Sequence, residues 1–436
     1  MSVIPLYPEA GDGAQGGAEL LAAIDIGSTQ IVCMIGELRR ERKDRKGARA
    51  RLAITGVGTR AAKGIRAGVV VDVAAAERAI RLAVEAAERM AGAQVSDVWV
   101  NLSGGRLKVR TLQASMPLNG AKVSATHLAA LRARALAGFD ERTRMVVQVV
   151  PAGFSLDGGP WLENPQGLHG DVLAARVNVA TMIRGPLANL EQALTRSHLR
   201  VAGLLPAPVA AAEAVLTEDE RALGVVVADI GASQIAWAAF ADGMLREGGT
   251  LPVGGHHITH DIAAGLHTPI SEAEKLKTVH GSVVPMHVDD GEPLSIPVLG
   301  EKGPGGWQQV PRGALNEIIR PRAEEMMEML RDALAHLPAG MRQRVVLTGG
   351  GSELVGLADM AEQTLSARVR IGQAGAIHGL PRILAGPAHA VAAGLLLAAA
   401  RADAQGFGLA RQAERLLAAN GGGYLSRVKR WFEESF

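Results

Sequence analysis

One short pattern occurs twice in this chain, and it constrains the fold more than any other feature. Asp25-Ile26-Gly27-Ser28-Thr29-Gln30 aligns without a gap on Asp229-Ile230-Gly231-Ala232-Ser233-Gln234. Each copy follows an apolar run (LLAAI before the first, GVVVA before the second) and precedes another (IVCMIG and IAWAAFA). Apolar run, Gly-containing turn, apolar run reads as two strands joined by a tight turn. A strand–turn–strand unit repeated in the second half of a chain predicts two similar α/β cores facing each other across a cleft.

The chemistry of the turn suggests what the cleft holds. Glycine allows close backbone approach, and successive N–H groups in such a turn form a concave anion site. Ser28 and Thr29 add hydroxyl donors. Asp25 and Asp229 would repel a phosphate directly, so their expected role is to hold Mg²⁺ from the two sides, largely through water. Either turn alone would be ordinary, because Asp and Gly are common turn residues; two in register point to nucleotide phosphates.

Two further segments fit that cleft. Val346-Leu347-Thr348-Gly349-Gly350-Gly351-Ser352 reads as a strand entering a glycine turn and then a helix. Bare backbone there would accept a flat base or ribose, and a helix N-terminus would add a positive dipole. Glu274 and Lys277 lie three apart, on one face of a predicted helix. Taken alone, the glycines serve equally well as a tight connection and the charged pair as a surface ion pair.

Between these motifs the chain reads as a mixed α/β protein. Residues 74–92 have an apolar stripe through Ile80, Val84 and Ala87 and predict an amphipathic helix. AVAAGLLLAAA (390–400) is too short to span a bilayer and predicts a buried helix. Residues 39–51 carry eight basic and two acidic side chains and read as a solvated loop. The formal net charge of +2 gives no pull toward nucleic acid. A single cysteine, Cys33, excludes a disulfide framework and suits a reducing compartment. His256, His257 and His260 cluster, but no matching carboxylate completes a metal set. No Ser-His-Asp arrangement follows from spacing.

The two Asp-Ile-Gly turns, the TGGGSELVGL turn and the SEAEKLK helix, in this order, resemble the actin/Hsp70/sugar-kinase ATPase superfamily. VLTEDERALGVVVADIG (215–231), DIAAGLHTPISEAEKLKTVHG (261–281), VWVNLSGG (98–105) and ENPQGLHG (163–170) narrow the resemblance to the FtsA family, actin-like membrane tethers of the bacterial division ring. It covers residues ~20–400 and the tail.

The resemblance implies an α/β, actin-like two-domain fold with duplicated ribonuclease-H-like cores, an inserted small α+β subdomain and a C-terminal amphipathic helix. Residues 18–73 and 177–215 would form the first core, 74–176 the insert, 216–245 and 341–402 the second core, and 246–340 its subdomain. Residues 1–17 would be a disordered lead-in and 403–423 a linker. By the same analogy ATP or ADP with Mg²⁺ would be the cofactor. Glu274 and Lys277 would meet the ribose, and Gly349 to Ser352 the adenosine. Arg322 and Glu325, which match a Pro-Arg-x-x-Glu pattern, would form a patch for the C-terminal tail of FtsZ. Self-association into filaments and contacts of 74–176 with other division proteins are also implied, at the cytoplasmic face of the inner membrane at the septum. Gln30 stands where the family commonly has Lys, and Ala232 and Ala236 also depart from its pattern. These departures argue for slow ATP turnover at most.

Four of the 13 aromatic residues fall in the last thirteen positions. At 100° per residue, Tyr424, Leu425, Val428, Trp431, Phe432 and Phe436 share an arc of about 140°, with Arg427, Lys429, Arg430, Glu433 and Glu434 outside it. Such a helix is suited to lie in a lipid headgroup region, and Gly421-Gly422-Gly423 would let it project. Two other readings belong to the same superfamily: a sugar-kinase-type phosphotransferase, for which no sugar pocket or catalytic Asp is evident, and an actin-like pilus-assembly scaffold.

Overall fold

The computed structural model describes residues 18–40, 50–137, 144–162, 164–284, 291–301, 306–375 and 377–404. The expected N-terminal lead-in, the linker and the amphipathic tail with Tyr424, Leu425, Val428, Trp431, Phe432 and Phe436 lie outside the described residues.

The first core begins with β1 (Glu19–Ile26), β2 (Gln30–Arg40) and β3 (Ala50–Ala61), an antiparallel meander. A two-residue hairpin, β4 (Ile65–Arg66) and β5 (Val69–Val70), leads into α1 (Val73–Ala91) and β6 (Asp97–Leu102). Helix α1 starts where Asp72 accepts from the Ala75 N–H and stops at Gly92, whose φ is 68°. Its buried stripe, Ala76, Ala79, Ile80, Ala83, Val84 and Ala87, lies on β2 and β3. Gly58 makes that contact close: a Cβ there would lie 2.0 Å from the Ala83 carbonyl oxygen.

Then comes a separate unit, β7 (Lys108–Pro117), α2 (Ala125–Ala137), β8 (Arg144–Leu156) and β9 (Val172–Ile183). It has its own small core of Leu118, Val123, Leu131, Phe154, Leu173 and Ala175. The chain returns through α3 (Arg184–Arg196), β10 (Arg200–Pro206) and α4 (Ala207–Val215). The first sheet therefore runs β10-β6-β1-β2-β3. Strand β1 is parallel to β6 and buried on both faces, which is why it reads as a nearly continuous apolar run.

The second core repeats this plan. After α5 (Glu218–Leu223), closed at its start by a Thr217–Glu220 capping box, come β11 (Val225–Ile230), β12 (Ile235–Ala241) and β13 (Met244–Leu251). A second subdomain holds α6 (Gly255–Gly265), α7 (Ile270–His280), the hairpin β14 (Pro293–Pro297) and β15 (Trp307–Pro311), and α8 (Arg312–Leu334). The core closes with α9 (Ala339–Arg342), β16 (Arg344–Thr348), α10 (Leu357–Leu365), β17 (Arg368–Ile371) and α11 (Ala390–Ala404). Its sheet begins β17-β16-β11-β12-β13, strand for strand the order of the first, and continues through the insert as β7-β9-β8. The alanine-rich α4 and α11 pack together between the cores. Gly394 fits only as glycine, because a Cβ would lie 1.7 Å from the Ala210 carbonyl oxygen.

Three sequence expectations are corrected. The insert does not begin at 74, because α1 and β6 are built into the first core; β6 is hydrogen-bonded on both sides there. Nor does it end at 176: β9 runs to Ile183, paired with β7 and β8. The subdomain expected from 246 starts after β13, whose residues 244–251 form the third strand of the second sheet.

Candidate functional site: the cleft between two turns

Both turns close in the same way. The Gly27 N–H donates to the Gln30 carbonyl at 3.1 Å, and the Gly231 N–H to the Gln234 carbonyl at 3.0 Å. The strand registers also agree, with Ile26 opposite Ile31 and Ile230 opposite Ile235. The parallel neighbour brings its own glycine segment to each turn: β6 ends in Asn101-Leu102-Ser103-Gly104, and β16 in Thr348-Gly349-Gly350-Gly351.

These elements wall a cavity of about 520 Å³. Asp25, Gly27, Ser28, Thr29 and Gln30 line it from the first core. Asp229, Gly231, Ala232, Ser233 and Gln234 line it from the second, with Gly349, Gly350 and Gly351 beside them and Glu274 and Lys277 from α7. Ser352 is the exception. It is buried, and its hydroxyl donates to the Gly349 carbonyl at 2.7 Å, so it holds the turn from behind. The expected helix dipole is corrected too: the glycines enter a four-residue 3₁₀ segment, Gly350–Glu353, and α10 begins only at Leu357.

The charged pair on α7 is wired into the wall. The Lys277 ammonium donates to Glu274 Oε2 at 2.7 Å, to Thr259 Oγ1 at 2.9 Å and to the Gly255 carbonyl at 3.1 Å. Thr259 in turn donates to Glu274 at 2.5 Å. Burial works to raise the Glu274 carboxyl, but hydrogen bonds from Lys277 and Thr259 outweigh it and hold the group below its ordinary range. Its second oxygen remains as an acceptor, the kind of group that binds a sugar hydroxyl.

At the turn end of the cleft lie the two aspartates. Burial, reinforced by Asp229, pushes the Asp25 carboxyl up to about 8, and burial alone pushes Asp229 to about 6. Asn101 donates to Asp25 Oδ1 at 2.6 Å while its own oxygen accepts the Ile26 N–H at 2.8 Å. Two desolvated carboxyl groups at the mouths of the two turns fit a hydrated divalent cation, which would remove the penalty that raises them. Among the described residues no group of three or more His, Cys, Asp and Glu side chains could hold a metal, so the other ligands would be water or phosphate oxygens.

Asn101, Ser103 and Thr259 carry interactions at the site that the sequence did not assign. Gln234 donates its amide across to the Ser103 carbonyl at 2.5 Å and so joins the cores. Ser28 accepts the Gly68 N–H at 2.9 Å, which ties the first turn to the β4–β5 hairpin. The only signal for Asn101 was a polar residue closing an otherwise apolar strand, VWVNL.

Outside the cleft, Arg322 on α8 forms a two-toothed pair with Asp261 on α6, at 2.6 and 3.2 Å, and also bonds Glu325. Arg322 therefore pins two helices together and is not a free rim charge. Met326 and Met327 are fully buried. Among the described residues no helix is long and apolar enough to cross a membrane.

Comparison with known proteins agrees with this architecture. The family model for the cell division protein FtsA matches residues 226–394, and that for the SHS2 domain inserted in FtsA matches 104–181. The second match falls on the structurally observed insert. The cell division protein FtsA of Agrobacterium fabrum is 38% identical over 423 residues, covering 96% of this chain and 95% of its own. That of Escherichia coli K12 is 29% identical over 429 residues, covering 96% and 98%. Among solved structures, a PilM–PilN type IV pilus biogenesis complex matches with TM-score 0.61 at 19% identity, covering 87% of this chain and 98% of that one. MreB5 of Spiroplasma citri bound to ADP matches at 0.51 and 11% identity, covering 88% and 98%. These two establish a shared fold only, whereas the full-length relatives establish kinship: the chain belongs to the FtsA family of cell division proteins.

Proposed function

We propose that the cleft binds ATP or ADP with Mg²⁺, and that the nucleotide switches assembly of a scaffold linking FtsZ to the cytoplasmic face of the membrane at the division septum. The observation that carries this reading is convergence. Two duplicated turns, a triple glycine and a pinned Glu–Lys pair, drawn from four separate parts of the chain, line one cavity. That an MreB of the same fold is described with ADP bound supports it.

Gly350 offers a clean test. A Cβ there meets nothing nearer than 3.7 Å, so Gly350→Leu should fill the cleft without disturbing the fold. The affinity for a fluorescent ADP analogue should fall at least ~100-fold, equivalent to about 2.7 kcal/mol, with Tm unchanged. Undiminished binding would remove the cleft from consideration. Gly349 is a poorer choice, since its φ is 80° and a Cβ would lie 2.3 Å from Asp229 Oδ1.

Partner binding is assigned to the subdomain carrying α6 and α8, with Arg322 and Glu325 near the FtsZ tail. Because Arg322 also pins α6, Glu325→Lys is the better probe; normal binding of an FtsZ tail peptide would move the patch elsewhere. Membrane attachment is assigned to the apolar face of 424–436. Deleting those residues should release the protein from anionic liposomes while leaving ADP binding intact. ATP turnover should stay far below the ~10 s⁻¹ of a typical enzyme; phosphate release at saturating ATP measures it.

A further inference from the structure

A second cavity, of about 1380 Å³, adjoins the nucleotide cleft and shares Ser28, Ser233, Gln234 and His256 with it. It exists because two paired strands part. Strands β7 and β13 pair antiparallel at Arg110–Glu247 and Val109–Gly248. In continued register Lys108 would meet Gly249 and Leu107 would meet Thr250. Instead the strands diverge, and residues 106–110 and 247–252 line opposite sides of the gap.

Charge is distributed unevenly around this wedge. Leu107 and Val109 turn into the hydrophobic cluster of the first core, so by strand alternation Lys108 and Arg110 face the other way and are exposed, and Arg106, in the turn that leads into β7, is exposed beside them. Arg66 of the β4–β5 hairpin adds a fourth cation, and His256, His257 and His260 of α6 stand on another wall. Among the described residues that line the cavity the one carboxylate is Glu247, which accepts from His336 at 2.9 Å. Past Gly248, no described strand pairs with the β7-facing edge of β13, and an open edge is a template for another strand. Gly248 and Gly249 put no side chain in the way of an approaching backbone.

We propose that this wedge receives an acidic peptide in extended conformation, added as a strand between β7 and β13. Cations on alternate residues of β7 stand ~7 Å apart along the strand, the repeat of same-face side chains on an extended peptide. Backbone pairing to the open edge holds the peptide, and carboxylates on alternate residues select it. A compact anion would match convergent cations better than a line of them.

The test uses the full-length protein and a fluorescent octapeptide of alternating Glu and Val, read by anisotropy. Saturable binding is expected, weakened at least about tenfold by Lys108→Glu and by Arg66→Glu. Both side chains are exposed, and an unchanged Tm confirms the fold. A Lys/Val octapeptide should not bind, and N-methylation of alternate peptide nitrogens in the Glu/Val probe should abolish binding. Equal binding of the N-methylated probe overturns strand addition. Equal binding of the Lys/Val peptide, or no binding of the Glu/Val peptide, overturns the proposal outright. Inorganic tripolyphosphate binding more tightly than the Glu/Val peptide would replace it with a small-anion site.

Discussion

The two turns of the cleft share a backbone and differ in what the neighbouring strand gives them. Asp25 and Asp229 occupy equivalent positions, each beside the parallel strand of its sheet. At the first turn that strand supplies Asn101, which grips both the Asp25 carboxylate and the Ile26 N–H. At the second, Thr348 stands in the matching place and turns away, donating to the Gly372 and Pro387 carbonyls at 3.1 and 3.2 Å. Glycine follows Thr348, and Gly349 brings the backbone against Asp229. Duplication therefore reproduced the turn, while the adjacent strand set its chemistry: one half holds a carboxyl in place, and the other presents bare backbone.

The largest expected effect comes from breaking that difference. Asn101→Leu strands a buried N–H and releases Asp25, and should lower stability by about 3 kcal/mol. Thr348→Val in the other half loses one hydroxyl shared between two carbonyls, and should cost only ~1 kcal/mol. Urea denaturation of the two variants measures the asymmetry; equal losses would mean that Asn101 has no special place.

Next in size is a difference in pH dependence. An unfolded aspartate ionises near 3.8, whereas folded Asp25 keeps its proton to about 8. The nucleotide-free folded state thus binds more protons than the unfolded state across that window, and this group makes stability fall as pH rises through it. Asp25→Asn removes the effect. Its advantage over the parent should be least near pH 4 and should grow toward pH 8. For Asp229, pushed only to about 6, the advantage of Asp229→Asn should level off near pH 6. Both variants should lose the additional stabilisation given by Mg²⁺ with ADP. Tm measured across pH, with and without MgADP, checks each statement.

The smallest expected effect concerns the bond between the halves. Gln234→Ala removes the donor to Ser103 at a partly exposed position, so stability should change by less than ~1 kcal/mol. If the bond biases how far the cores open, ADP affinity should still shift a few-fold. Titration with a labelled ADP analogue would show it, and an unchanged affinity would reduce the bond to a static contact.

Some of this was legible in the sequence for plain physical reasons. The Asp-Ile-Gly turns are short, contiguous and repeated, and a turn is fixed by the residues within it. The burial of 390–400 followed from its composition. A second repeat was present but hidden: register equates VWVNLSG (98–104) with VVLTGGG (345–351), which share only Val98/Val345 and Gly104/Gly351. The limits of the insert were also beyond reach, because the stripe on α1 shows that the helix has a buried face and not which sheet covers it. Ser352 misled for a related reason. A serine in a glycine turn looks like a ligand donor until the 3₁₀ segment turns its hydroxyl inward.

The duplication, the two turns, the glycine strand end and the charged helix face can be read along the chain, since strand alternation, helical spacing and turn chemistry are all local. Which groups meet depends instead on the packing of segments far apart in the chain. Asn101 reaches Asp25 across 76 residues, and Gln234 reaches Ser103 across 131. Such hydrogen bonds exist because packed sheets and helices bring distant segments within about 3 Å, and no periodicity along the chain specifies which polar groups that closure brings together.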